Sequence, residues 1–324
     1  MFTMRFDLRA PDFGAPIGEL YGAAVEMAEW GEARGCLAAI VSEHHASPDG
    51  YLPSPLLLAA ALAARTRTLP IQVAALLVPL HDPIALAEQM AVLDVLSGGR
   101  VSYVCAIGYR AEEYAMFGRA MRGRGQRLQT CIETLRRAWS GEPFEFEGRP
   151  VCVTPRPLQP GGPMLLMGGN SEVAVRRAAR LGMGMMTQGC DARLEVVYRE
   201  ACREAGTQPG IFLNPPAGMV TSAFVADDPE RAWAEIGRHL LHDARMYAAW
   251  MGASASASKS LAPTVESLRA EQGAYRIFTP EEAIAYVRAS GPLLTQPLCG
   301  GLPPKLAWPS LELIASKVLP ALSG

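Results

Sequence analysis

Glu43, His44 and His45 stand side by side in a chain of 324 residues, directly after the apolar run Leu37 to Ser42. A carboxylate beside titratable imidazoles can exchange protons or hydrogen bonds with a bound ring system. Adjacent residues of an extended segment point to opposite sides, so His44 and His45 cannot readily share a metal ion, and at most one should face a pocket. The blander alternative for an isolated His is a side chain satisfied by backbone in a buried loop. A second candidate is Gly168-Gly169-Asn170-Ser171, ahead of a helix, where backbone N–H groups, a hydroxyl and the positive helix end converge as a phosphate would require. An ordinary glycine turn with Asn170 or Ser171 as N-cap fits those residues equally well.

Gly108-Tyr109 forms a third candidate, followed by Glu112, Glu113, Tyr114 and Phe117 and then by Arg119, Arg122, Arg124 and Arg127. Most of these arginines read as a solvated helix face, with Arg124 the one aimed inward to neutralise a phosphate. His239 and His242, with Asp243 beside them, have metal-like spacing, but a helix surface with charged neighbours is the better reading, and no metal is expected. Met183, Met185 and Met186 could line a pocket for an apolar substrate. No nucleophile-elbow, zinc-protease or P-loop pattern occurs.

The elements that must position these residues alternate along the chain. Short apolar runs that read as buried strands are followed by longer amphipathic stretches: strands at Arg5 to Leu8, Leu37 to Ser42, Ile71 to Val78, Val101 to Ile107, Met164 to Met167, Met183 to Thr187, Met219 to Ala226 and Leu293 to Leu298. Asp82 can cap and Pro83 open a helix that runs to Leu96 before Gly98-Gly99. Eight β/α units without a long polar linker favour one domain over residues 1–324, a (β/α)8 TIM barrel with insertions. The length beyond a typical barrel falls mainly in a Pro- and Gly-rich, hairpin-like insertion at about 140–163 and in an Ala/Ser-rich segment at about 252–277, a candidate lid. In such a barrel the active site is built at the C-terminal ends of the strands, where Glu43, Gly108 and Gly169 all fall.

Composition narrows the function further. Hydrophobic residues make up 49% of the chain and the net charge is −2, which excludes a disordered chain. The near balance of charge lacks the basic stripe that nucleic acid requires. The longest apolar run, Leu56 to Ala64, is far short of the ~20 residues of a spanning helix, so no membrane association is expected. Arg5, Asp7 and Arg9 occupy the place of a secretory h-region. Seven cysteines without a C-x-x-C pair read as mostly buried thiols in a reducing cytoplasm.

Several stretches, in order, resemble the bacterial luciferase-like, flavin-dependent monooxygenases: Ser42-Glu43-His44-His45; Val73 to Pro79 with His81-Asp82-Pro83; Leu93 to Arg100; Gly108-Tyr109-Arg110 with Phe117-Gly118; Gly168 to Ser171; and Gly300 to Pro304. The resemblance implies a TIM barrel, usually a homodimer, that binds reduced FMN (FMNH2) supplied by a separate flavin reductase. In that chemistry the flavin reacts with O2 to give a C4a-hydroperoxide, which oxygenates an aldehyde, ketone or other small organic substrate. By the match, His44 is the catalytic acid/base or hydroperoxide stabiliser and Glu43 orients it. Ala74-Ala75 matches the place where the family often has a non-proline cis peptide beneath the flavin ring. Gly108, Tyr109 and Arg124 belong to the cofactor site, and Gly169, Asn170 and Ser171 hold the phosphate.

Two positions depart from the family pattern. Cys105-Ala106-Ile107 stands where many relatives have a glycine-rich or Arg-bearing segment, and Ile107 cannot pair with phosphate. Gln296 stands where close relatives tend to have His, and Gln cannot titrate. The leading expectation is therefore a two-component FMNH2-dependent monooxygenase. The alternatives are an F420-dependent oxidoreductase on the same barrel and a catalytically silent flavin-binding or structural barrel.

Overall fold

Asp82 opens the helix Pro83–Ser97 in the computed structural model, which describes residues 1–251, 256 and 258–322. Its carboxylate accepts the N–H groups of Ile84 and Ala85, each at 2.9 Å, and Gly98 closes the helix in the left-handed conformation, φ +65°. Both signals were readable in the residues. The helix belongs to a unit made of Val41–Ala46 and Pro53–Asn214. There the strands Ile71–Leu76, Val101–Cys105, Leu165–Gly168, Gly184–Met186 and Phe212–Leu213 pair in parallel in that order. The helices Pro83–Ser97, Arg124–Ala138, Glu172–Arg180 and Arg193–Ala205 follow the first four of these strands, the α/β alternation that the apolar runs predict.

The insertion expected at 140–163 contains an antiparallel hairpin, Phe144–Phe146 with Arg149–Val151. Asp94, fully buried in the helix Pro83–Ser97, ties it down. Its carboxylate accepts the N–H of Leu158 at 2.7 Å and the side-chain amide of Gln159 at 2.7 Å.

The second unit comprises Met1–Ile40, Ser47–Leu52 and Pro215–Gly324. Its strands run parallel in the spatial order Phe2–Phe6, Leu293–Thr295, Ser222–Val225, Tyr275–Phe278. The first begins earlier than the expected Arg5 to Leu8. Phe2, Met4 and Phe6 alternate onto one fully buried face, and the Phe2 ring meets Trp30 of the helix Ile17–Glu32 at 6.3 Å. The strand Tyr275–Phe278 and the helix Val265–Ala270 occupy part of the segment read as a loop. Residues 252–255 and 257 of that expected lid lie outside the described residues.

Beyond the first strand the chain enters a buried polar cluster. Arg9 is fully enclosed; it donates to Asp243 at 2.9 Å and Asp49 at 2.8 Å, with its guanidinium 4.3 Å from the centre of the Trp250 ring. Gln296, also fully buried, donates to Asp7 at 2.6 Å and accepts from Ser222 at 2.8 Å. His239 and His242 do not sit on a solvated helix face. In the helix Pro229–Met251, His239, Asp243 and Tyr247 recur every four residues on the buried stripe. His239 donates to the Gly300 carbonyl at 2.9 Å and His242 to Asp49 at 2.8 Å. Among the described residues no helix is long and apolar enough to cross a membrane.

Candidate active site

The segment Val41–Ala46 carries Glu43, His44 and His45 inward, all buried. The Glu43 N–H donates to the Ala75 carbonyl at 3.2 Å, which fixes this segment against the end of the strand Ile71–Leu76. The peptide bond between Ala74 and Ala75 is cis. The Glu43 carboxylate accepts the ring N–H of His45 and of His81, each at 2.8 Å, and the N–H of Leu77 at 2.5 Å. Burial alone would raise this carboxyl. The donors from His45 and His81, with the backbone N–H of Leu77, outweigh it and hold the group at about 2. Glu43 is therefore a fixed anion around which two imidazoles are arranged.

His44 has a different partner. Its Nδ1 donates to Glu113 at 2.7 Å, and the same carboxylate oxygen accepts the His45 N–H at 3.1 Å. Glu113 is the carboxylate bonded to His44 Nδ1, where the resemblance implied Glu43 as the orienting group. The rings of His44 and His45 bond to different carboxylates, Glu113 and Glu43. The outer nitrogen of His44, Nε2, lies 3.2 Å from the Tyr109 hydroxyl. Arg110 is buried and donates to the His45 carbonyl at 2.5 Å, with Glu113 3.5 Å away. The second oxygen of Glu113 is buried without a hydrogen-bond partner among the described residues and lies toward Gly108, 3.7 Å from where a β-carbon there would stand.

The structure thus brings Glu43, His44, Ala75, Gly108 and Tyr109 together, with Ala74 on the same strand end. Asn170, Ser171 and Arg124 have bonds to other groups. The loop 168–171 leaves the strand Leu165–Gly168, whose neighbour is Val101–Cys105, and a β-carbon on Gly168 would stand 3.3 Å from that of Ala106. The loops bearing Gly108 and Gly169 therefore start from the same edge of adjacent strands. Ser171 caps the helix Glu172–Arg180 through the Ala174 N–H at 3.3 Å, and the side-chain oxygen of Asn170 accepts the Gln188 N–H at 2.6 Å. Arg124 donates to the Met121 carbonyl at 3.2 Å, while its Nε is buried with no partner among the described residues. Gln296 is placed in the other unit, within the Asp7 and Ser222 network.

Three participants were missed in the sequence: Glu113 and Arg110 as partners of the imidazole segment, and His81 as the second ring on Glu43. Each stands within a longer stretch of motif residues. Its partner lies tens of residues away in the chain, so no local spacing reveals the pairing.

Residues 4–282 match the description Luciferase-like monooxygenase. The chain belongs to this family. Like other proteins of the luciferase-like monooxygenase family, it is similar throughout to solved structures. Monooxygenase RslO1 from Streptomyces bottropensis superposes with a TM-score of 0.78 at 24% identity, covering 99% of both chains. The oxygenating constituent of 3,6-diketocamphane monooxygenase from Pseudomonas putida, in complex with FMN, gives 0.67 at 20% identity over 99% of this chain and 98% of that one. The α/β TIM-barrel fold class expected from the sequence is the fold this likeness shows. In sequence, the oxygenase component of flavin-dependent trigonelline monooxygenase from Acinetobacter baylyi is 26% identical over 66% of this chain and 62% of its own length. The chain spans about half the length of the first curated relatives it matches.

Proposed function

We propose that this luciferase-like monooxygenase acts as the oxygenase of a two-component system. It would take reduced FMN from a separate flavin reductase and use O2 to oxygenate a small organic substrate. The observation that carries the reading is the buried group of Glu43, His44, His45 and Glu113 at the strand ends, with the half-buried His81 bonded to Glu43 and Tyr109 on its outer side.

The residues fit an anionic, planar cofactor. Arg124 has a buried Nε without a partner among the described residues, and Ser171 is exposed at the positive end of the helix Glu172–Arg180. A phosphate could be held by either group. Ala74, Ala75 and Ala106 are half-buried, small side chains against which a flat ring can lie. When bound, the flavin would supply the activation of O2.

The chain's own groups do the rest. Glu43 stays ionised and holds the rings of His45 and His81. Glu113 keeps the proton of His44 on Nδ1, so that Nε2 faces outward as an acceptor. Burial of these groups in a low-dielectric setting keeps bulk water from competing for their protons. As one luciferase-like domain, with insertions at about 140–163 and 252–277, the chain would act as a homodimer. The exposed apolar residues Leu57, Val92, Val95 and Leu96, on the paired helices Pro55–Arg65 and Pro83–Ser97, support that assembly.

Equilibrium titration with FMN, FMNH2 and F420, followed by reconstitution with a flavin reductase and a panel of carbonyl compounds, tests this. FMNH2 is expected to bind and an O2-dependent product to form. Arg124→Gln is expected to weaken FMN binding by ~10-fold while leaving riboflavin binding unchanged, the loss of roughly one charge-assisted hydrogen bond. Tight binding of F420 alone, or of no flavin, removes the proposal.

A further inference from the structure

Glu113, His44 and Tyr109 form one hydrogen-bonded line whose members become steadily more accessible. Glu113 is 0% exposed, His44 7% and Tyr109 40%. The links are 2.7 Å from His44 Nδ1 to Glu113 and 3.2 Å from the Tyr109 hydroxyl to His44 Nε2. Glu113 accepts, so the Nδ1 proton belongs to the imidazole. Nε2 then offers a lone pair, and the Tyr109 O–H must donate to it. The imidazole is covered on its outer side: the Tyr109 ring packs edge-on against it with 5.4 Å between centroids. Tyr109, 40% exposed, is the outermost member of the line.

Resting on the functional reading above, we propose that Tyr109 is a catalytic residue, the group that exchanges a proton with the bound molecule, while His44 stores that proton and Glu113 is the positioning residue behind it. The step balances without an oxidant or reductant. A donor H–X on the bound molecule gives its proton to the Tyr109 oxygen, and X keeps the bonding pair. At the same time the Tyr109 proton passes to His44 Nε2. Tyr109 ends neutral as it began, His44 becomes an imidazolium, and the Glu113 carboxylate at 2.7 Å balances the new charge. The reverse step returns the proton.

The groups around the line favour this polarity. Arg110 lies 3.5 Å from Glu113 and sets a positive charge beside the carboxylate that accepts from His44. His45 is occupied by Glu43 at 2.8 Å through its ring, and contributes only its backbone N–H to Glu113. Glu43 and His81 are bonded to one another at 2.8 Å and do not enter the line. A triad of carboxylate, imidazole and hydroxyl is a recurrent way to move a proton without exposing the imidazole. Here the hydroxyl is a phenol, which carries proton but forms no covalent intermediate.

The test has two readouts, and the first needs no flavin. In protein labelled at the tyrosine ζ-carbons, the Tyr109 signal is assigned by its loss in Tyr109→Phe and followed against pH. His44→Gln and Glu113→Gln are each expected to displace its titration midpoint, because the phenol senses the imidazole and the imidazole senses the carboxylate. A Tyr109 titration unmoved by both substitutions overturns the relay, whether or not the protein binds FMN.

The second readout is single-turnover oxidation of FMNH2 by O2, read by absorbance across pH. Tyr109→Phe is expected to keep FMN affinity within ~3-fold, lose at least ~10-fold in rate, and lose the pH dependence that His44 confers. Glu113→Asp is expected to recover part of the activity that Glu113→Gln lacks. A Tyr109→Phe protein with the parent rate and pH profile rejects the catalytic role of Tyr109. Absence of FMN binding in the parent protein removes the functional reading instead.

Discussion

Two buried carboxyl groups in this chain are pushed in opposite directions. Glu43 is held at about 2 by its imidazole and backbone donors, so its contribution to stability is present above the ordinary carboxyl range and is lost as pH falls from about 4.5 toward 2. Asp7 goes the other way. Burial first, then the neighbouring charge of Asp243, raise it to about 7 against the pull of Arg9 and Arg5. A raised carboxyl retains its proton in the fold after the unfolded chain has released it, so stability is lost as pH rises from about 4 to about 7 and levels off above. The free energy of unfolding of the parent protein, minus that of Asp7→Asn, is therefore expected to fall by a few kcal/mol across that window, about 1.4 kcal/mol per pH unit of displacement. Urea melts at intervals of half a pH unit measure it; a difference independent of pH would show that Asp7 is ionised throughout. Neither environment could be read locally. The sequence places Glu43 beside His44, yet the fold gives Glu43 to His45 and His81 and gives His44 to Glu113. Three imidazoles and two carboxylates allow several pairings, and only the strand ends decide among them.

At the scale of elements, legibility follows how local the physics is. The helix Pro83–Ser97 could be bounded in advance, because Asp82, Pro83 and Gly98 act within one turn of themselves. The hairpin at 144–151 was likewise foreshadowed by its Pro and Gly content. The strand Tyr275–Phe278 was not, since its four residues gain their strand character from pairing with Ser222–Val225. The glycines at 300 and 301 were recognised as a motif, and the fold now gives the first of them a cause. Gly300 has φ +56°, and a β-carbon there would stand 2.1 Å from the backbone oxygen of His239, whose ring donates to the Gly300 carbonyl. The turn and the helix Pro229–Met251 therefore lie backbone to backbone. Gly300→Ala is expected to cost about 3 kcal/mol or more, because a backbone clash adds to left-handed strain. Gly35 supplies the control. It has φ +70° but open space around its α-carbon, so Gly35→Ala should cost only ~1 kcal/mol. Equal losses at the two positions, measured by denaturant unfolding, would rule out the clash.

For the whole molecule, the near-neutral charge and ample apolar content fit the proposed association of two copies. In the unit built on Ile71–Leu76, the helices Pro55–Arg65 and Pro83–Ser97 pack together and leave Leu57 74% exposed, Val92 52% and Leu96 50%. Val92 and Leu96 are one turn apart on one helix, so they form a stripe rather than scattered side chains. Burying such a stripe is favourable by about 25 cal/mol per Å2 of apolar surface, and a two-fold axis through the helix pair would cover the same residues on both copies at once. A stable interface of this kind buries about 800 Å2 per partner, so a charge at its centre removes apolar burial and also requires an ion to be desolvated. Leu57→Glu combined with Leu96→Glu is therefore expected to convert the dimer to a monomer at micromolar concentration. Light scattering coupled to size exclusion would show the mass halve, and an unchanged far-ultraviolet circular dichroism spectrum would show that each copy still folds. Because these positions are exposed in the single chain, their replacement should change its own stability by no more than ~0.5 kcal/mol. A parent protein that is monomeric at that concentration, or a doubly substituted protein that stays dimeric, would place the interface elsewhere or remove it.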